Sequence, residues 1–485
     1  MVNFIYLGLL VIYLLLILYT VIRILLDTNS TPKTFGYLLL VLLLPIAGVA
    51  IYIAFGLNFR HLSSRYRLKK AQEELDADMK RNTDDSSVAM PSAGKEEAGN
   101  FSSLIEFLKF IGNEPLLESY FTLLNNGEEK FPEVLRVLES AKQFIHLEYY
   151  AWENDIRGNE IKDVLLSKAK EGVKIRVLYD AYASRKIKGN IVKELKAGGV
   201  LVFPKIKVKL VQLANRLNHR DHRKIIIVDG VTGFVGGINI SDRYDNSIDT
   251  GLYWRDTHVK IEGLLVNSLQ RHFIVSWNSC QTEKLTFSQD LFPKKVVDKP
   301  QGLKAMGQVV AGGPVYPMSN IMLTYFKIFT SARNKLYITN PYFIPNDSIM
   351  DALKQAAISG VDVRLMLPFK SDSTIVGAAS KFYLPDLIQA GVKIYLYKKG
   401  FVHAKTVVAD THLSVIGTAN MDVRSFDLNF EIMSVIYGEE FSKQVEKAFL
   451  NDLNECMEIT AEIVARASLL HRLFYAVTRL ISSLL

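Results

Sequence analysis

Two stretches of this chain decide its fold: NHRDHRKIIIVDGVTGFVGGINI at 218–240 and VHAKTVVADTHLSVIGTANMD at 402–422. Each holds a histidine, a lysine two residues on, an aspartate seven on and an asparagine seventeen on. These are His222, Lys224, Asp229 and Asn239 in the first and His403, Lys405, Asp410 and Asn420 in the second. Residues two apart on an extended chain share a face, so histidine and lysine project together while 225–228 and 406–409 carry each strand on as a buried run. A tight turn at Asp229-Gly230 or Asp410-Thr411 sends the chain back along 234–237 or 413–417, whose end sets the asparagine beside the His/Lys face.

Each cassette therefore offers one titratable imidazole, one ammonium and one amide. Two of them brought together make a site for a tetrahedral anion with a histidine on each side. That is equipment for exchange at a phosphodiester without a metal ion or other cofactor. A neutral histidine attacks phosphorus, a protonated one donates to the leaving alcohol, and lysines and asparagines hold the non-bridging oxygens.

The duplication reaches beyond the cassettes. SAKQFIHLEYYAWEND at Ser140 resembles SARNKLYITNPYFIPND at Ser331, and EGVKIRVLYD at Glu171 resembles SGVDVRLMLP at Ser359. Between these segments short β-branched runs alternate with amphipathic helical stretches, the pattern of βαβ units in a mainly parallel sheet. The expected class is α/β, with two similar domains over 103–292 and 293–485. The pairs Tyr149-Tyr150 and Tyr342-Phe343 end equivalent strands, where cleft lining and core packing are both open.

The front of the chain is different. Residues 2–22 and 35–59 carry no charge, and each run exceeds the ~20 residues a spanning helix needs, so 1–60 reads as a two-helix transmembrane hairpin. Arg60, Arg65, Arg67, Lys69 and Lys70 follow, against Asp27 and Lys33 in the hairpin loop, which places the remainder of the chain in the cytoplasm by the positive-inside rule. Residues 61–102 read as a basic juxtamembrane segment and linker, a short charged helix giving way to a tether. The tail from Glu458 carries apolar residues at helical spacing with Arg466, Arg472 and Arg479 between them, suited either to packing on the body or to lying in a bilayer interface.

The 485 residues are 49% hydrophobic and 22% charged, which excludes global disorder and provides for several cores. Cys280 and Cys456 make no disulfide framework and match no zinc spacing. The net charge of +8 points to an anionic partner. A membrane anchor beside a basic cluster favours phospholipid over nucleic acid, and oligomeric state leaves no mark in the sequence.

The twin HxKxxxxD cassettes resemble those of the phospholipase D superfamily. The amino-terminal hairpin, LPIAGVAIYIAFGLNFR at 44–60, NHRDHRK and GGINISDRY are similar to bacterial cardiolipin synthases of that superfamily. The resemblance implies two pseudo-symmetric phospholipase D-like domains in a cell-membrane protein that transfers a phosphatidyl group between two phosphatidylglycerols through a phosphohistidine, with release of glycerol. It implies His222, Lys224, Asp229, His403, Lys405 and Asp410 as the catalytic set, with Asp229 and Asp410 closing turns and pairing with basic residues. Asp256 and Glu431 match the acids that orient the imidazoles, and Lys224, Asn239, Lys405 and Asn420 the substrate-phosphate contacts. A hydrolase using water, a phosphatidylserine synthase using serine and a silent membrane scaffold are the alternatives.

Overall fold

The computed structural model describes residues 2–27, 31–53, 62–82, 98–205, 219–294 and 297–482. They fall into a small amino-terminal unit and a large body that begins at Leu68.

In the small unit the helix Val2–Asp27 is 26 residues long, about 39 Å at 1.5 Å per residue, and most of its side chains are exposed. Phe4–Leu26 is long and apolar enough to cross a bilayer, alone in this among the described residues. The second uncharged run departs from the expected single span. It forms the helices Thr31–Leu43 and Pro45–Ile51, broken at Leu44, whose φ of −132° and ψ of 71° are not helical. Pro45 cannot continue the amide ladder. A Cβ at Gly48 would lie 2.5 Å from the Leu40 carbonyl oxygen, so glycine lets the short helix fold back against its predecessor. Residues 54–61, including Arg60, lie outside the described residues.

The body's first half contributes strands β1 (Leu117–Asn125), β2 (Phe144–Tyr149), β3 (Lys174–Tyr179), β4 (Leu201–Pro204), β5 (Lys224–Val228), β6 (Thr232–Gly236), β7 (Trp254–Arg255) and β8 (Thr257–Gly263). Its second half contributes β9 (Leu303–Gly312), β10 (Lys335–Thr339), β11 (Phe343–Ile344), β12 (Asp362–Pro368), β13 (Lys393–Tyr397), β14 (Phe401–Val402), β15 (Thr406–Ala409), β16 (Leu413–Gly417), β17 (Met421–Asp422), β18 (Glu431–Tyr437) and β19 (Cys456–Ile459). Outward from the centre the first half runs β1-β8-β6-β5-β2-β3-β4 and the second β9-β18-β16-β15-β10-β12-β13-β19. The same order appears twice, and antiparallel pairing of β1 with β9 fuses both into one 15-stranded sheet. The sheet is mostly antiparallel and not mainly parallel as expected: among the described residues only β2, β3 and β4, and β10, β12 and β13, run parallel in it, because the cassette hairpins β5–β6 and β15–β16 and their neighbours toward the centre pair antiparallel. Both cassette strands are wholly buried, as unbroken β-branched runs require.

Two amino-terminal helices pack differently from the expected linker and first domain. The helix Leu62–Asn82 buries Leu68, Ala71 and Leu75, and Asp76 pairs with Arg271 at 3.4 Å, so its body portion is docked rather than tethering. The helix Ser102–Gly112 packs Leu104, Ile105 and Leu108 into the core built by the second half, together with Ile321 and Tyr325.

Asp229 and Asp410 do close their turns, with φ of 51° and 50°. Their partners are backbone amides, with the Asn100 side-chain amide also donating to Asp410 at 3.3 Å, and not the basic side chains expected. Asp229 accepts from Lys142, Gln143 and Phe144 N–H at 2.7, 2.8 and 2.9 Å. Asp410 accepts from Arg333, Asn334 and Lys335 N–H at 2.8, 2.7 and 3.0 Å. Each aspartate thus pins the start of the neighbouring antiparallel strand, β2 or β10, at the far end of its own strand from the histidine. Asp410→Ala would orphan three amides and place alanine at positive φ. We expect a loss of about 2–3 kcal/mol in urea unfolding followed by tryptophan fluorescence, with Asp410→Asn losing less.

Candidate active site

The two histidines are placed by backbone from opposite halves. His222 N–H donates to the Phe430 carbonyl at 2.9 Å, and Asp221 bridges to Phe430. His403 N–H donates to the Arg255 carbonyl at 2.7 Å, just after β14 pairs in parallel with β7. Each imidazole is therefore carried by one half and seated on the other.

The carboxylates follow the same crossing. Glu431 of the second half faces His222 Nδ1 at 2.9 Å, and Asp256 of the first half faces His403 Nδ1 at 2.6 Å. The two partners differ in their other bonds. Glu431 also accepts from Thr418 Oγ1 at 2.5 Å and Ser425 Oγ at 2.8 Å. Asp256 accepts the Thr257 N–H at 2.7 Å and is wedged against Gly237, where a Cβ would sit 2.0 Å from Asp256 Oδ1.

Both imidazoles line a single cavity of about 470 Å³. Asn239, Asn420, Tyr244 and Trp254 also line it, with Arg220, Arg243 and Arg424. Trp254 lies 5.4 Å from the His403 ring and Tyr150 lies 4.6 Å from His222, centroid to centroid. The aromatic pairs divide: Tyr150 and Tyr342 face the cavity, whereas Tyr149 and Phe343 are core. Asn239 donates to Tyr244 Oη at 2.6 Å, and the buried Asn420 Oδ1 has no hydrogen-bond partner. Lys224 and Lys405 are buried immediately behind, their ammonium groups bonded to the carbonyls of His222 and His403 at 2.7 and 2.5 Å. Asp229 and Asp410 do not reach the cavity.

Sequence reasoning missed the support behind His222. Lys205 joins Glu148 and, at 3.0 Å, Asp221. Arg223 reaches Ser276 Oγ at 3.0 Å, Tyr316 Oη at 3.1 Å and the Glu431 carbonyl at 3.3 Å. The signal was the charge-dense RDHRK itself, four ionisable groups around His222 leading into a buried strand.

Burial governs the electrostatics. It pulls the His403 imidazolium down to about 3, with Lys405 adding to the effect and Asp256 opposing it. His222 is lowered by the same burial, against which Glu431 acts. The Lys224 and Lys405 ammoniums are drawn down to about 7 and about 8, again by burial. Burial raises the Asp256 carboxyl, but His403 and Lys405 outweigh it and hold it at about 2. The cavity is thus a desolvated cluster of potential cations that an anion would stabilise.

A duplicated sheet presenting two His–Lys cassettes to one cavity defines a phospholipase D-type protein. Residues 134–273 and 325–453 match the family model described as cardiolipin synthase, PLD-like domain, and 15–56 match the phospholipase D-nuclease N-terminal model. A cardiolipin synthase of Geobacillus kaustophilus is 39% identical over 464 residues, covering 95% of this chain and 90% of that protein. A cardiolipin synthase of Listeria monocytogenes is 36% identical over 500 residues, covering 98% and 99%. The fold is similar to that of a phosphatidylserine synthase from Haemophilus influenzae, with a TM-score of 0.57 at 16% identity over 77% of this chain and 95% of that one. The chain belongs to the cardiolipin synthase family of phospholipase D-like phosphatidyltransferases, and its apolar amino-terminal helix and N-terminal family segment associate it with membrane.

Gly237→Ala tests the geometry directly. The added methyl must displace Asp256, and a misplacement near 1 Å costs on the order of 10²-fold in rate. We expect that loss in turnover, measured at a temperature where the variant is fully folded, together with a lowered melting temperature from the overpacked seam.

Proposed function

We propose that the cavity exchanges one phosphodiester for another between two phosphatidylglycerols. His222 Nε2 attacks phosphorus, the bond to glycerol breaks, and His403 gives its proton to the departing glycerol oxygen. The phosphatidyl group remains on His222. A terminal hydroxyl of the second phosphatidylglycerol then loses its proton to His403 and displaces the histidine, forming cardiolipin. One ester replaces another, so no nucleotide enters the balance. The lysines, Asn239 and Asn420 hold the non-bridging oxygens.

The observation that carries this reading is the crossed pairing: each Nδ1 is engaged by a carboxylate, which leaves Nε2 for the cavity and fixes the tautomer. The bonds around the carboxylates make the two sites unequal: Glu431 shares its charge with two hydroxyl donors, and Asp256 shares its charge with the Thr257 N–H. An anionic diester entering the cavity raises both imidazoles, so that one of them can carry the proton the exchange needs. The names of the relatives favour transfer to a lipid over hydrolysis or transfer to serine.

Purified protein in mixed micelles should convert phosphatidylglycerol to cardiolipin and glycerol without CTP or divalent metal; dependence on either would overturn the reading. In that assay Asp256→Asn removes the charge that raises the His403 pKa. The imidazolium is lost as pH rises through its pKa, so the alkaline limb of the rate profile should move to lower pH, with turnover down roughly 10²–10⁴-fold.

The membrane arrangement belongs to the same proposal. Phe4–Leu26 crosses the bilayer, the broken second run returns within it, and the basic residues 60–70 hold the body on the cytoplasmic side. A reporter after Leu485 should be shielded from external protease in intact cells and one at Ser30 cleaved; the reverse pattern would refute the orientation.

A further inference from the structure

The last helix, Leu469–Ser482, is mounted with its polar face inward. Thr478 is buried, Tyr475 and Arg479 are half-buried, and the helix packs on Thr374–Gln389. The Arg479 guanidinium lies over the Phe382 ring at 4.3 Å, and Lys381 lies 5.9 Å from the Tyr475 ring. Its other face is a stripe of Leu469, Leu470, Leu473, Phe474, Val477 and Leu480, from 45% exposed at Val477 to 82% at Leu469. A helix held by the body for its own stability would turn that stripe inward. Contiguous exposure of six large apolar side chains on one helix marks an interaction surface.

The surroundings say what covers it. Arg466 and Arg472 are exposed beside the stripe, and no acid follows Glu462, so the rim is cationic. Two copies meeting face to face would bring those arginines together, whereas anionic headgroups would neutralise them. Fourteen residues span about 21 Å, too short to cross a bilayer and suited to lying in its plane. The supporting helix leads to the cavity: Val376 lines it, and Phe382, which holds the tail, lies six residues further, roughly 9 Å along the axis.

We propose that this helix docks in the interfacial layer of an anionic phospholipid bilayer and seats the cavity mouth at headgroup level. Its role in presenting substrate rests on the lipid-exchange reading; the docking itself does not.

The test uses the full chain reconstituted in vesicles of phosphatidylglycerol and phosphatidylcholine. An environment-sensitive fluorophore at Leu473→Cys should be quenched several-fold more by brominated lipid than one at Ser359→Cys, and should resist aqueous iodide. Quenching by iodide, or shielding from both quenchers as a second protein copy would give, overturns the proposal. In parallel, Leu470→Glu with Leu473→Glu should lower conversion of long-chain phosphatidylglycerol in vesicles at least tenfold while leaving a monomeric short-chain analogue within twofold. Equal loss on both substrates would mean a purely structural tail and would overturn the substrate-presenting role. If the unaltered protein makes no cardiolipin from either lipid, the exchange reading fails, and the quenching still decides the docking.

Discussion

The arrangement of this site depends on one constraint: each buried imidazole is engaged by a carboxylate at its Nδ1, and each half supplies that carboxylate to the other. His222 takes Glu431 and His403 takes Asp256. A half on its own would hold a histidine without its orienting acid and an acid without its base, both desolvated at the seam. Removing one partner from such a buried pair leaves an uncompensated group and costs far more than an exposed ion pair is worth. The fused 15-stranded sheet therefore does more than join two repeats. Pairing of β1 with β9, of β7 with β14, and of Asp221 with Phe430 sets the distances on which both dyads rely.

The same desolvation sets up the chemistry. Burial pulls both imidazoles and both ammoniums toward their neutral forms, and Asp256 and Glu431 set negative charge directly against the histidines. A bound anion would oppose that pull and favour the protonated forms of these groups. The two hydroxyls that share Glu431 and the backbone N–H that steadies Asp256 make the halves unequal despite identical spacing. Symmetry of sequence is thus compatible with unequal surroundings for the two imidazoles.

Much of this was legible in the sequence, because period-two strands and repeated offsets are local properties. The cassettes, the hairpins and the duplicated α/β order followed from them. The crossing did not, for Asp256 and Glu431 reach their histidines only through pairings between halves that no local pattern encodes. Leu68, Ala71 and Leu75 form a helical stripe obscured by surrounding charge, and so the docked helix read as linker. Tyr149 and Tyr150 are adjacent in sequence yet point to core and cavity, a difference set by where β2 ends. Pro45 and Gly48 were visible, but whether they kink a span or fold it back depends on what the second segment packs against.

A lipid-exchanging site must admit two polar headgroups into a desolvated cavity while the acyl chains stay in the membrane. Such a site gains from being held at a fixed height, because the cost of lifting a chain into water grows with each exposed methylene, ~0.8 kcal/mol apiece. The helix that walls the cavity at Val376 and carries the tail at Phe382 joins these two requirements in one rigid element. An apolar stripe turned outward would be a liability on a body bathed only in water. Beside a cavity built for phosphodiesters, it gives the cleft a bearing surface on the phase that holds its substrate.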